Sequence, residues 1–348
     1  MKPLTGALIV AAALAATIAP AAAQSPIWTT HGPYGVSPVV ALAIDPTTPS
    51  TLYAATGNGV APDSAIGDGV FRSTDSGGSW SAVNTGLDLN VDALAIDPAT
   101  PSTPYAGSYD SGVFQSTNSG GSWTAVNTGL SDLSVAALVI NPTTPSTLYA
   151  GTYGSGVFRS TDSGGSWSAV NTGLPKCDLY TNTIYVTALA IDPTTPSTLY
   201  AEIEEEGVFR STNSGGSWSS TNTPSALLAF DPTTPSTLYA GTEDGVSQST
   251  DSGASWTAVN AGLSNLGGVS ALAIDPTTPS TLYAGTGGGG VFQSTNSGGS
   301  WTAVNTGLSN PYVNALAIDP TPPSTLHAGT ANSPLRKPLQ AGRSLVAV

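Results

Sequence analysis

Basic side chains are scarce: 348 residues carry eight Lys and Arg against 22 Asp and Glu, for a formal net charge of −14. A surface that tracks phosphates needs clustered Lys and Arg, so nucleic acid is excluded as a partner. The single cysteine, Cys177, cannot form an internal disulfide, and it lies too far from the N-terminus to serve as a lipidation site. Only two histidines, His31 and His327, are available for imidazole chemistry. Beyond the first 23 residues no apolar run approaches the length needed to span a bilayer. No phosphate or dinucleotide loop is present either, because the glycine-rich run from Gly285 to Gly290 lies between two strands. Stability therefore has to come from packing.

What the chain has in abundance is repetition. Gly69 to Trp80, GVFRSTDSGGSW, returns almost letter for letter at Gly112, Gly156, Gly207, Gly245 and Gly290. Each copy reads as a hairpin turn between two strands. Asp75 and its equivalents Asp162 and Asp251 accept backbone N–H bonds, and Gly77 and Gly78 supply the positive φ of a tight turn. Asn118, Asn213 and Asn296 replace the acid, an exchange that an acceptor tolerates and a nucleophile does not, so these positions are architectural. Trp80, Trp123, Trp167, Trp218, Trp256 and Trp301 are large apolar plates expected to pack on the next sheet.

The Ser-x-Asp-x-Gly-x-x-Trp pattern of Ser73, Asp75, Gly77 and Trp80 resembles the Asp-box, or BNR, repeat of sialidases, other glycoside hydrolases, sortilin-type receptors and photosystem II assembly factors. The resemblance covers essentially the whole mature chain. It implies a β-propeller with the boxes as structural turns on the outside, away from any active site. Because the superfamily includes both enzymes and binders, the resemblance leaves function open.

A second repeated unit, ALAIDPTTPSTLYA, has seven versions beginning near Ala41, Ala93, Ala137, Ala188, Ala226, Ala271 and Ala315. Alternating small and branched residues suit an inner strand near a crowded axis, and Asp45-Pro46 ends it. One repeat then reads as four strands, ALAI, TLYAGT, GVFRST and WTAVN, the signature of a propeller blade. The expected fold is all-β: a single seven-bladed β-propeller of four-stranded blades with Asp-box turns. Residues 1–23, with Lys2, an apolar run and Ala21-Ala22-Ala23, read as a signal peptide, so the mature protein is expected to be secreted or periplasmic. The propeller would occupy 24–348, with blades at about 36–87, 88–130, 131–174, 175–222, 223–262, 263–308 and 309–348. Residues 24–35, with Trp28, are expected to supply a ring-closing strand that hides exposed edges, next to a degraded box in the tail at 335–348.

Subtracting the repeat leaves the candidate site. Six Asp-Pro aspartates and three box aspartates are repeat positions; the other thirteen acids fall in or beside the joins between strands two and three and between strand four and the next blade. Tyr34, Tyr109, Tyr153, Tyr180, Tyr185 and Tyr312 stand in those same joins, whereas Tyr53 and its equivalents occupy a repeat position. A flat ring with a polar tip suits sugar stacking or a protein hot spot. Three stretches depart from the repeat: Gly57 to Asp68, Pro175 to Tyr185, and Glu202 to Glu206, where Glu202, Glu204, Glu205 and Glu206 replace the usual loop. No cofactor or assigned metal site is expected, although the four glutamates beside Asp178 could hold a calcium ion.

A sialidase resemblance implies three converging arginines and a tyrosine nucleophile with a glutamate partner. Arg72, Arg159 and Arg210, however, share one repeat position, where Gln115, Gln248 and Gln293 stand in other blades, so they form no triad. His327 replaces a repeat tyrosine and reads as a packing residue. The sequence thus points to a non-catalytic recognition scaffold, monomeric, binding a glycan or an extracytoplasmic protein on an acidic, tyrosine-bearing face. The alternative is an Asp-box-type glycoside hydrolase using paired carboxylates, with Asp92, Asp178 and Glu204 as candidates. A third reading is an assembly factor whose partner is another protein.

Overall fold

The computed structural model describes residues 37–57, 68–177, 183–223, 226–264, 267–320 and 325–331. Residues 1–36, with the expected signal peptide, Trp28 and Tyr34, the loop 58–67, Asp178, Tyr180 and the tail from 332 lie outside the described residues. The chain is all-β, and its strands form a β-propeller. Among the described residues antiparallel units follow one another along the chain: six with four strands, and a final hairpin of Val313–Ile318 and Leu326–Thr330. The first unit runs Val39–Ile44, Leu52–Thr56, Gly69–Ser73 and Ser81–Ala82. The third and fourth units are joined into one sheet, because Tyr153 and Gly154 at the end of Leu148–Gly154 pair with Tyr185 and Ile184 at the start of Ile184–Ile191.

The turns follow from their residues. Asp45 Oδ1 accepts the amides of Thr47 and Thr48 at 2.8 and 2.9 Å, and Asn141 does the same for Thr143 and Thr144. In the repeated hairpin the Ser73 hydroxyl donates to Asp75 and accepts from the Gly77 amide, while Asp75 Oδ1 accepts from the Ser79 amide at 2.8 Å. Asn118 reproduces this with the Ser122 amide. Bonds from the Ser79 hydroxyl and amide, and then from Ser73, hold the Asp75 carboxyl down to about 2. Its contribution to stability is therefore present above the ordinary carboxylate range and lost only as pH falls through that value. The positive φ is placed differently from the sequence expectation. Gly77 has φ 83°, but its partner in the left-handed region is Ser76 at 56°, not Gly78. Ala254 accordingly stands at the Gly78 position in the fifth unit.

Contacts between units also correct the sequence reading. The tryptophans clamp the preceding unit rather than the next: Trp123, Trp167, Trp218 and Trp301 donate Nε1–H to Val83, Val126, Val170 and Val259, each at 2.7 Å. The outer strand that follows the tryptophan has two residues in most units, as in Ser81–Ala82. The repeat tyrosines reach the opposite way. Tyr105, Tyr149, Tyr200 and Tyr239 donate to the carbonyls of Ser163, Ser214, Ser252 and Ser297 in the turn of the following unit. Gln115, Gln248 and Gln293 donate to Tyr105, Tyr239 and Tyr283, whereas Arg72 and Arg210 lie over Tyr53 and Tyr200 at 5.9 Å. The Arg/Gln exchange is explained by this shared partner, and these arginines are spread among the units.

The same contacts join the final hairpin to the first unit. A Cβ on Gly107, Gly151, Gly241, Gly285 or Gly329 would come within 2.5–2.7 Å of a valine methyl, and for Gly329 that valine is Val39 of the first unit. Trp80 packs with Ala315 and Ala317, and the first unit's Gly77 lies against His327, where the other units offer tyrosine. Burial pushes the His327 imidazole below its ordinary value, with Asp319 opposing. The interface therefore keeps its stability at neutral pH and weakens as pH falls through that lowered value. Among the described residues Nε2 has no hydrogen-bond partner. His327→Tyr should restore the tyrosine-to-turn bond, add about 1 kcal/mol, and flatten the loss of melting temperature between pH 7.5 and 5. A lower melting temperature in the variant at pH 7.5 would show that this junction does not follow the other unit interfaces.

Candidate functional site

Three residues leave equivalent strand ends in adjacent units. Tyr109 follows Pro104–Ser108, Tyr153 is the last residue but one of the corresponding strand in the third unit, and Glu204 follows Leu199–Ile203 in the fourth. Their amides donate to Asn90, Ser134 and Tyr185 at 3.1, 2.9 and 3.0 Å, which anchors all three at the same level beside the entry to the inner strand. The Tyr109 and Tyr153 rings sit 5.9 Å apart, tilted by 57°. Tyr185 is the cross-strand partner of Tyr153.

Carboxylates flank this aromatic pair. Burial pushes the Tyr153 hydroxyl well above its ordinary range, with Asp92, Glu204, Glu202 and Tyr109 adding to the effect in that order. Tyr153 is thus a lasting hydrogen-bond donor and a poor nucleophile. Asp92 is only 8 % exposed, and burial, followed by the Asp110 charge, pushes its carboxyl up to about 7. Among the described residues it accepts no hydrogen bond. It sits at a β-bulge, where the register shifts between Val91 and Ala93. The same register holds Val40, Ala136, Thr187, Ser270 and Asn314 in other units, none of them charged. Asp110, beside Tyr109, belongs to the site; its adjacency to a join tyrosine was the signal that sequence reasoning passed over.

A buried acid with a raised value is most stabilising when protonated, so Asp92 costs stability as pH rises through about 7. Asp92→Asn should melt higher than the wild type at pH 8, by on the order of 2 kcal/mol, and by much less at pH 5. Equal melting at both pH values would show that Asp92 carries no desolvation cost.

The glutamates do not act as one loop. Glu202 lies inside strand Leu199–Ile203, 4 % exposed, at the register where five other units have glycine. The neighbouring inner strand, Leu227–Phe230, starts late and lacks the valine that fills this place elsewhere. Glu204 is half-buried, and burial followed by the Glu205 charge raises its pKa. Glu205, at φ 64°, and Glu206 are exposed in the turn. Among the described residues no three His, Cys, Asp or Glu side chains converge as a metal site. The Cys177 thiol donates to the Glu204 carbonyl, and burial pushes its pKa up, so it is not an activated thiolate.

Other join residues are structural. Asp88, Asp132 and Asn310 accept the amides of Asn90, Ser134 and Tyr312, shaping the entry to the inner strand. This turn chemistry accounts for part of the acidity of that face. Tyr312 is bridged to Gly287 in the last two units and does not join the Tyr109–Tyr153 pair.

No family model matches the chain, and no curated protein matches it. Among solved structures, a GH74 xyloglucanase from Xanthomonas campestris superposes with a TM-score of 0.68 at 19% identity, over 85% of this chain and 51% of that one. YCF48 bound to D1 peptide gives 0.61 at 14% identity, over 85% and 91%. The extracellular domain of a one-component system from B. thetaiotaomicron gives 0.60 at 18%, over 85% and 38%. These neighbours place the chain among the β-propellers. At such identities the likeness is one of fold, and the chain spans about half the length of the xyloglucanase.

Among the described residues no helix is long and apolar enough to cross a membrane.

Proposed function

We propose that this chain is a seven-bladed Asp-box propeller, secreted or periplasmic after removal of residues 1–23, that works as a monomeric, non-catalytic recognition scaffold for a glycan or an extracytoplasmic protein. The observation that carries this reading is the Tyr109–Tyr153 pair, 5.9 Å apart and flanked by acids of the second and fourth units. Paired aromatic rings held by backbone anchors offer a preorganised contact surface. The match over nearly the full length of a peptide-bound propeller, and the sensor domains among the neighbours, support a binding role.

A hydrolase is the second reading, favoured by one observation. Asp92, at about 7, has the value a general acid needs, and Glu204 is raised as well. Incubating the mature protein with plant, bacterial and sialylated glycans, and following reducing-end release beside retention, separates the two. Retention without release is the expected result. Release that disappears in Asp92→Asn and Glu204→Gln would replace the scaffold with an enzyme. Retention lost on chelation would mark calcium, held by Glu204 to Glu206 with Asp178, as part of the site.

A further inference from the structure

Asp92 is the feature that a generic recognition face leaves unexplained. It is 8 % exposed, and among the described residues no donor reaches it. An unpaired buried carboxylate is costly to keep, and the other units place uncharged residues at the same register. Its carboxyl is directed at the level of the site. Gly57 is the first unit's equivalent of Tyr109 and Tyr153, and a Cβ there would come within 2.8 Å of Asp92 Oδ1 and 2.9 Å of the Val91 carbonyl. This corner therefore presents acceptors. In the sixth unit the Ser270 hydroxyl faces the carbonyls of Gly285 and Val313 and has a proton to donate between them, which an ionised carboxylate lacks. Protonation supplies the missing donor when the site is empty; the ionised form needs one from outside, and beside Asp92 a cationic one is favoured.

We propose that the site takes a lysine side chain of a partner protein, with its ammonium seated on Asp92 and its methylene stem lying against Tyr109 and Tyr153. This rests on the recognition reading above and names its ligand class. The depth of Asp92 favours a slender chain over a sugar ring, because a compact ammonium on a four-carbon stem reaches where a ring does not. Tilted tyrosine faces suit both the stem and its charge. Asp110, Glu202 and Glu204 add negative potential from the second and fourth units, Lys176 is the described cation of the nearby join, and the net charge of −14 steers a basic segment inward.

Pentalysine is the probe, measured by calorimetry on the mature protein at pH 6.5 and 7.5 beside a glycine-serine pentapeptide and a chitosan oligosaccharide. We expect pentalysine alone to bind, Asp92→Asn to weaken it at least about tenfold, and Glu243→Gln, an exposed acid of the fifth unit, to change it less than about twofold. At pH 6.5 binding should release a proton in the wild type and none in Asp92→Asn, a signature that a purely structural role would not produce. The melting temperature of Asp92→Asn, expected to be no lower than the wild type, distinguishes lost recognition from unfolding. Equal weakening by Glu243→Gln, or preference for the chitosan oligosaccharide, would overturn the proposal. If pentalysine fails while a neutral glycan or another protein is retained, the recognition reading stands without this ligand; if nothing is retained, both fall.

Discussion

Trp167→Ala is expected to lower stability by about 3–5 kcal/mol, the largest loss from any single truncation considered. The ring is 4 % exposed and packs with Tyr105, Leu130 and Phe158. It is pinned twice to the preceding unit, by Nε1–H to the Val126 carbonyl at 2.7 Å and by its amide to Thr128 at 2.8 Å. Removing it opens a cavity and orphans a partly buried carbonyl at the same interface. Trp256 provides the internal control. It is half-buried, and its Nε1 turns to Gly253 in its own turn at 3.2 Å, because the fourth unit ends in Ser219–Thr223 instead of the usual two-residue strand. Trp256→Ala should cost roughly half as much, about 2 kcal/mol. Denaturant melts of both variants decide the matter: equal losses would mean that the clamp on the preceding unit adds nothing to what holds the units together.

Tyr153→Ala is expected to reduce retention of the ligand on the mature protein by about thirtyfold, the effect of losing a hot-spot aromatic. Tyr153→Phe should keep most of the affinity, since the ring face is the larger part of the contact. Tyr312→Ala should leave retention within about twofold, because Tyr312 stands at the Gly287 bridge instead of beside Tyr109. The three variants, compared on one immobilised ligand, test whether the site is the cluster of the second to fourth units or the whole tyrosine-bearing face. Equal losses from Tyr312→Ala and Tyr153→Ala would favour the whole face.

Much of the local architecture was legible in the residues. Alternation marked the inner strands, the Asp-Pro and Ser-x-Asp-x-Gly patterns marked their turns, and exchange of Asp for Asn showed that the turn acids act as acceptors. Legibility ended where a contact joins distant residues. That Trp123 bonds Val83 and that Tyr105 bonds Ser163 depends on how one unit leans on another. Neither direction has a signature within a repeat. Glu202 was misread as a loop residue because its neighbours Glu204 to Glu206 form a turn, whereas its pairing with Ala188 and Val208 places it inside the strand.

The sequence by itself determined an all-β chain of repeated strand units, poor in cations and without a disulfide, because strand period and turn chemistry act over a few residues and are written in each copy. The tertiary structure decided which of the many acids and tyrosines meet. Asp92, Tyr109, Tyr153, Glu202 and Glu204 come from three units and are brought to one level by the backbone bonds between strand ends. Every unit repeats that level, and only the packing of neighbours makes one sector of the ring buried, aromatic and acidic.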